Sequence, residues 1–194
     1  MDTGRLETFS DGVIAIIITI MVLELKVPHG EDINSLAPLL SVFLSYVLSF
    51  IYIGIYWNNH HHMLQICEKV TGPILWANLH LMFWLSLLPF STAWMGENHF
   101  GTIPSAIYGF DLLMAAIAYW TLQQTIIASQ GSDSILRKAV GKDWKGKVSI
   151  FVYLGAIFAA FWLQWAAQLL FVLVAAAWLI PDRRIESVLV SKDH

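Results

Sequence analysis

Charge is what this sequence lacks most. Only 13% of its 194 residues are Asp, Glu, Lys or Arg, whereas 57% are hydrophobic and the mean hydropathy is +0.63. A soluble domain carries about a quarter charged residues. Too few are present here to coat a water-facing surface, so lipid must cover much of the chain. Cys67 is the one cysteine, which excludes an intrachain disulfide. The N-terminus lacks the basic-then-short-apolar layout of a cleaved signal peptide, and its first apolar run is membrane-length. Gly-rich phosphate loops, nucleophile elbows, paired catalytic carboxylates and Cys-His zinc spacings are all missing. The expectation is a polytopic membrane protein that is not an enzyme, holds no resident cofactor and binds no nucleic acid. The inverted internal repeat that many transporters carry is missing too.

What is present is a set of apolar runs. A spanning helix needs about 20 predominantly apolar residues, and the candidates are about 7–27, 37–59, 73–94, 104–127, 147–162 and 165–180. The first ends at Pro28, Pro73 opens the third, and Pro104 sits in the first turn of the fourth, where a missing N–H is tolerated. A single helix over 147–180 would be about 50 Å long, too long for one crossing. The stretch therefore reads as two short helices with a tight reversal near Leu163-Gln164-Trp165. Six spans put both termini on one side. Arg5, Lys69, Arg137, Lys138, Lys142, Lys145, Lys147, Arg183, Arg184 and Lys192 then share that side, and Lys26 alone of the eleven basic residues faces the other. By the positive-inside rule both termini are cytoplasmic. Residues 1–194 read as one all-helical membrane domain.

The first span opens Arg5-Leu6-Glu7-Thr8-Phe9-Ser10-Asp11 and runs apolar to Leu23, interrupted by Thr19. At about 100° per residue, Ile16, Thr19, Ile20 and Leu23 lie within about 60° of Ile16. Such a stripe reads either as ordinary core packing or as a hydrophobic constriction that gates ions without charge. Asp11 lies about 140° away, so it points into neighbouring helices, where an acid requires polar partners. Arg5 and Ser10 are the nearest, and His80 and Trp84, one turn apart on the third span, offer ring N–H donors. Asp111 is a second buried acid, with Tyr108 or His80 as its expected partner. A relay through Asp11, Asp111 and His80 is the alternative reading, a small proton-coupled transporter. His60-His61-His62 resembles a metal site on paper, but neighbours on a helix point about 100° apart and do not converge on one ion. Glu24 is placed to concentrate cations at a pore mouth.

Arg5-x-x-x-Phe9-Ser10-Asp11 before an Ile-rich helix resembles the signature of the transmembrane-protein-175 potassium channels in their bacterial, single-repeat form. Trp57 with His60 and His61, the His80/Trp84 pair, Leu87-Leu88-Pro89-Phe90-Ser91-Thr92 and the short final hairpin are similar to that family as well. The resemblance implies a homotetramer in the bacterial inner membrane, with the first helix of each subunit lining a central pore. It implies a potassium-selective cation channel that lacks a carbonyl filter loop. Ile16, Thr19, Ile20 and Leu23 would be the pore and selectivity positions. Arg5, Ser10, Asp11, His80 and Trp84 would form an interhelical hydrogen-bond network, and the partners would be lipid, monovalent cations and other copies of the chain.

Overall fold

The computed structural model describes residues 2–131, 134–141 and 143–179, and within them the chain is all-helical. Seven α-helices follow in order: α1 Thr3–Leu23, α2 Leu40–Gln65, α3 Gly72–Glu97, α4 Thr102–Gln130, α5 Ile135–Val140, α6 Trp144–Ala160 and α7 Gln164–Leu179, with a 3-10 helix, Ile33–Leu39, leading into α2. Four of these, α1, α2 with its 3-10 lead, α3 and α4, are long and apolar enough to cross a membrane, and α7 is a shorter apolar helix. Lys142, Pro181, Arg183, Arg184, Lys192 and the last residue of the sixth expected span lie outside the described residues.

Local chemistry explains the boundaries. Pro73 stands at the start of α3, where its missing N–H is harmless. Between α3 and α4, His99 and Phe100 take left-handed conformations (φ 50° and 60°), and the Phe100 N–H donates to the Met95 carbonyl at 3.0 Å. That closes the end of α3 in a tight reversal. Asp143 caps α6 by accepting from the Gly146 N–H at 3.2 Å.

The expected break in the long final stretch exists, but it is centred two residues earlier than the sequence suggests. α6 ends at Ala160 and α7 begins at Gln164, so Phe161, Trp162 and Leu163 form the reversal. Gln164 is not a turn former here. Its side-chain amide donates to Thr102 Oγ1 at 2.9 Å, which ties the hairpin to the start of α4. The second span also runs further than expected, since the histidine run continues the helix to Gln65 instead of ending it.

α4 is the centre of the bundle. Tyr108, Leu112, Ala115, Ala118, Leu122 and Ile126 recur at helical spacing and are fully buried. α3 and α6 pack most extensively against it, and α1 lies outside α2 and α3. Small residues allow the close approaches. A Cβ on Gly96 would meet Val42 Cα at 2.7 Å, and one on Gly109 would meet the Phe171 ring at 2.9 Å.

The helices differ in reach. α4 has 29 residues, α6 17 and α7 16, about 43, 25 and 24 Å at 1.5 Å per residue. One small cavity is lined together by Asn59, Trp120, Ser149 and Trp178. Trp120 of α4 and the first turns of α6 thus lie close together.

Candidate functional site

α1 has two faces. Leu6, Ser10, Ile14, Ile17 and Met21 are buried against α2 and α3. Ile16, Ile20 and Leu23 are 59, 43 and 78% exposed, and Gly12 and Thr19 are exposed beside them. Within the subunit the stripe is therefore not core. Among the described residues no other helix covers it, although Ile16, Ile20 and Leu23 are strongly apolar. Thr19 Oγ1 donates to the Ile16 carbonyl at 2.8 Å, so the hydroxyl proton is already used and its lone pairs remain as outward acceptors. Along one edge of the stripe, Ile16 and Ile20 join Ser86, Pro89 and Phe90 of α3 in an open groove of about 540 Å³. Glu24 lies at the end of that groove and is itself exposed.

The polar residues at the N-terminal end of α1 do not form the single network the sequence suggests. Three separate ties are present. Trp57 Nε1 donates to Asp11 Oδ1 at 3.0 Å. One turn earlier, Glu7 Oε1 pairs with His61 Nδ1 at 2.5 Å, and the Trp57 and His61 rings stack on each other. Two carboxylates one turn apart on α1 thus meet an indole and an imidazole one turn apart on α2. The third tie is deeper. Asn78 Nδ2 donates to Ser10 Oγ at 2.9 Å while its Oδ1 lies 2.7 Å from His60 Nε2, and all three residues are fully buried. Ser10 in turn donates to the Leu6 carbonyl at 2.9 Å. Helices α1, α2 and α3 are joined through this one asparagine.

His80 and Trp84 are not in contact with Asp11. Trp84 Nε1 donates to His80 Nε2 at 2.9 Å, and the indole packs edge-on against Phe83 and Phe110. Arg5 is exposed. The sequence therefore identified Ser10 and Asp11 but assigned them the wrong partners. Trp57, His60 and Asn78 are the ones it missed as such. A lone amide inside the apolar run Ile74–Leu88 was the available signal for Asn78, since a polar group there needs a bonded partner.

Asp111 is buried and accepts from Ser91 Oγ at 2.8 Å, not from Tyr108 or His80. Tyr108 instead bonds Ser49, which bonds Thr92. Asp11, His80 and Asp111 each have a different partner, and among the described residues no hydrogen bond links any two of them. A proton relay through the three has no continuous path in this arrangement. The three consecutive histidines diverge as helix geometry requires: His60 turns to Asn78 and His61 to Glu7. Among the described residues, no group of three metal-ligating side chains converges.

Comparison with known proteins bears on this arrangement. The family described as "Endosomal/lysosomal potassium channel TMEM175" matches residues 5–89, a stretch that contains all of α1 beyond its first two residues and both of its partner helices up to Pro89. A Chryseobacterium sp. (strain P1-3) protein named a potassium channel is 55% identical over 189 residues, covering 97% of this chain and 98% of its own. A second protein of that name, from Streptomyces collinus (strain DSM 40733 / Tue 365), is 32% identical over 136 residues, covering 64% and 66%. The crystal structure of a lysosomal potassium-selective channel TMEM175 homolog from Chamaesiphon minutus superposes with a TM-score of 0.79 at 26% identity. That match covers 93% of this chain and 97% of the other.

Proposed function

This chain belongs to the TMEM175 family, a family of ion channels, and on that footing we propose that it is a potassium-selective cation channel whose ion path is lined by the exposed face of α1. One observation carries the reading: Ile16, Thr19, Ile20 and Leu23 form a long apolar stripe that no helix among the described residues covers, on a helix pinned firmly along its other face. Four copies around an axis bring four such stripes together. Rings of Ile16, Ile20 and Leu23 then narrow the path until only a partly dehydrated ion passes, and potassium sheds its water at lower cost than sodium. Thr19 contributes a ring of acceptor lone pairs in the same stretch. No resident cofactor is needed, and the ion itself is the only small-molecule ligand.

The subunit crosses the inner membrane six times as one domain, with α6 and α7 as a short final pair and both termini cytoplasmic. Among the described residues, Arg5, Lys69, Arg137, Lys138, Lys145 and Lys147 stand at the end that holds the N-terminus, and Lys26 at the other, which supports this orientation. The hairpin helices are about 25 Å long against a hydrocarbon core of about 30 Å, so the bilayer thins around them. On this reading Asp11 bonds Trp57 close to the inner membrane surface instead of at its centre. The Glu7–His61 pair lies further into the cytoplasm.

Proteoliposomes loaded with potassium test the proposal. The expected result is a flux driven by the potassium gradient that exceeds the sodium flux. Absence of flux, or an undiminished flux in Ile16→Trp, overturns it. Mass determination of the complex in detergent tests the tetramer separately.

A further inference from the structure

On the far side of the subunit from the α1 stripe, α6 carries an uncovered stripe of its own. Trp144, Phe151 and Phe158 are 75, 72 and 69% exposed, and Val148 and Leu154 are exposed between them. Their three- and four-residue spacing puts them on one face. Gly155 lies on that face with nothing within 4 Å of an added Cβ, which leaves a flat place between the two phenylalanines. α6 packs on α4 and α7, so the stripe faces outward from the bundle.

The N-terminal end of this stripe is basic. Lys147 is exposed on the same face, one turn from both Trp144 and Phe151, and Arg137 and Lys138 are exposed on α5, which closely precedes α6 in the chain. Neither ion pair among the described residues engages any of the three. Lys145 is engaged elsewhere, with its ammonium 6.0 Å from the centre of the Trp178 ring. An exposed indole at the junction of the basic cluster and the apolar stripe matches the usual position of tryptophan at a membrane surface.

We propose that the α5–α6 rim is a seat for an anionic glycerophospholipid. Arg137, Lys138 and Lys147 hold the phosphate and headgroup, Trp144 lies at the glycerol level, and an acyl chain runs along Phe151 to Phe158 past Gly155. Cations that form no ion pair among the described residues select an anionic head over a zwitterionic one, by about fivefold for each basic residue at the surface. The apolar stripe selects a lipid over a free anion, because inorganic phosphate gains nothing from it. This seat is separate from the ion path and does not depend on what the pore conducts.

The full chain reconstituted in phosphatidylcholine vesicles provides the test. A minor fraction of the lipid is replaced by brominated-tail phosphatidylglycerol or, in parallel, by brominated-tail phosphatidylcholine, and tryptophan quenching is compared. Brominated phosphatidylglycerol is expected to quench more strongly, and the excess should fall in Trp144→Phe, which removes the reporter without touching the charges. The excess should fall further, by at least about tenfold in relative lipid affinity, in the Arg137→Gln/Lys138→Gln/Lys147→Gln variant, while Lys69→Gln leaves it intact. Equal quenching by the two lipids overturns the seat, as does an excess that neither variant reduces. An excess abolished by added inorganic phosphate assigns the cluster to a free anion and also overturns it. Should the triple variant not insert, the two-lipid comparison and Trp144→Phe still decide the question.

Discussion

The two ends of α1 are held in opposite ways. Over its first three turns, three polar ties reach α2 and α3: Glu7 to His61, Asp11 to Trp57, and Ser10 through Asn78 to His60. From Gly12 onward the exposed side is apolar, and its one polar group, Thr19, bonds only its own backbone. On the proposed reading, position and passage are therefore assigned to different residues of one helix. A helix that lines an ion path must not shift, because a displacement of about 1 Å changes the bore of a narrow apolar ring. Directional hydrogen bonds to α2 and α3 hold the first turns of the helix in register. The lining itself stays free of polar partners that would bind the ion too well for it to leave.

The largest expected effect lies on the apolar half. Ile16→Trp adds one large ring from each subunit to the proposed path. Potassium flux should drop by about tenfold or more, equivalent to about 1.4 kcal/mol on the barrier, while the assembled complex and its Tm stay close to those of the parent. Flux per complex and size-exclusion profile measured together separate this from misfolding. If Ile16→Trp instead lowered the yield of complex with normal flux in what remained, the stripe would belong to an interface and the contrast would collapse.

Asn78→Ala probes the other half. It leaves the Ser10 hydroxyl without its donor and removes the one hydrogen-bond partner of His60, whose Nδ1 is already without one. Buried polar groups stranded in this way cost about 1–3 kcal/mol. The expected outcome is a clear loss of thermal stability and of assembled protein, with ion selectivity unchanged in the surviving complexes. An altered potassium-to-sodium ratio without a stability loss would move Asn78 into the ion path.

How much of this was legible follows from where each signal lies. Ile16, Thr19, Ile20 and Leu23 were readable as one face because helical periodicity is local. Whether that face was buried was not readable, since burial depends on whether another helix happens to cover it. Ser10 and Asp11 declared themselves as polar groups needing partners, but His80 and Trp84 satisfy each other one turn apart, a pairing that competes with any longer-range one. The final hairpin was legible from length alone, because a continuous helix would overrun the membrane. Its exact turn was not, because Phe161, Trp162 and Leu163 carry no turn chemistry. Their reversal is set by Gln164 bonding Thr102 on another helix, a contact that no local pattern encodes.

Trp57→Phe and Asp11→Asn sharpen the comparison within the polar half. Trp57 is 46% exposed, so losing its bond to Asp11 should cost less than losing Asn78, about 1 kcal/mol. Asp11→Asn keeps an acceptor for the indole and should cost less still. Ion flux should survive both changes when measured per assembled complex. A channel silenced by Asp11→Asn at normal stability and assembly would make the carboxylate part of conduction, and the division between the two ends of α1 would fail.

The smallest effect is expected where α1 leaves the membrane on the other side. There Lys26, just beyond the helix, pairs with Glu97 at the end of α3, and the two side chains are 73 and 46% exposed. Solvent screens such a pair, and surface ion pairs contribute little. The Glu97 carboxylate, by hydrogen bond and charge, holds the Lys26 ammonium above its usual value of 10.5. A raised value means that whatever the pair contributes is fully present below 10.5 and is lost only as pH rises through the folded-state value. Tm should therefore show no Lys26-dependent change between about pH 6 and 9, and Lys26→Gln should match the parent in Tm and flux across that window. A substantial Tm loss in Lys26→Gln at neutral pH would show that α1 is tied at both ends. The outer half of the stripe would then be as rigidly placed as the inner.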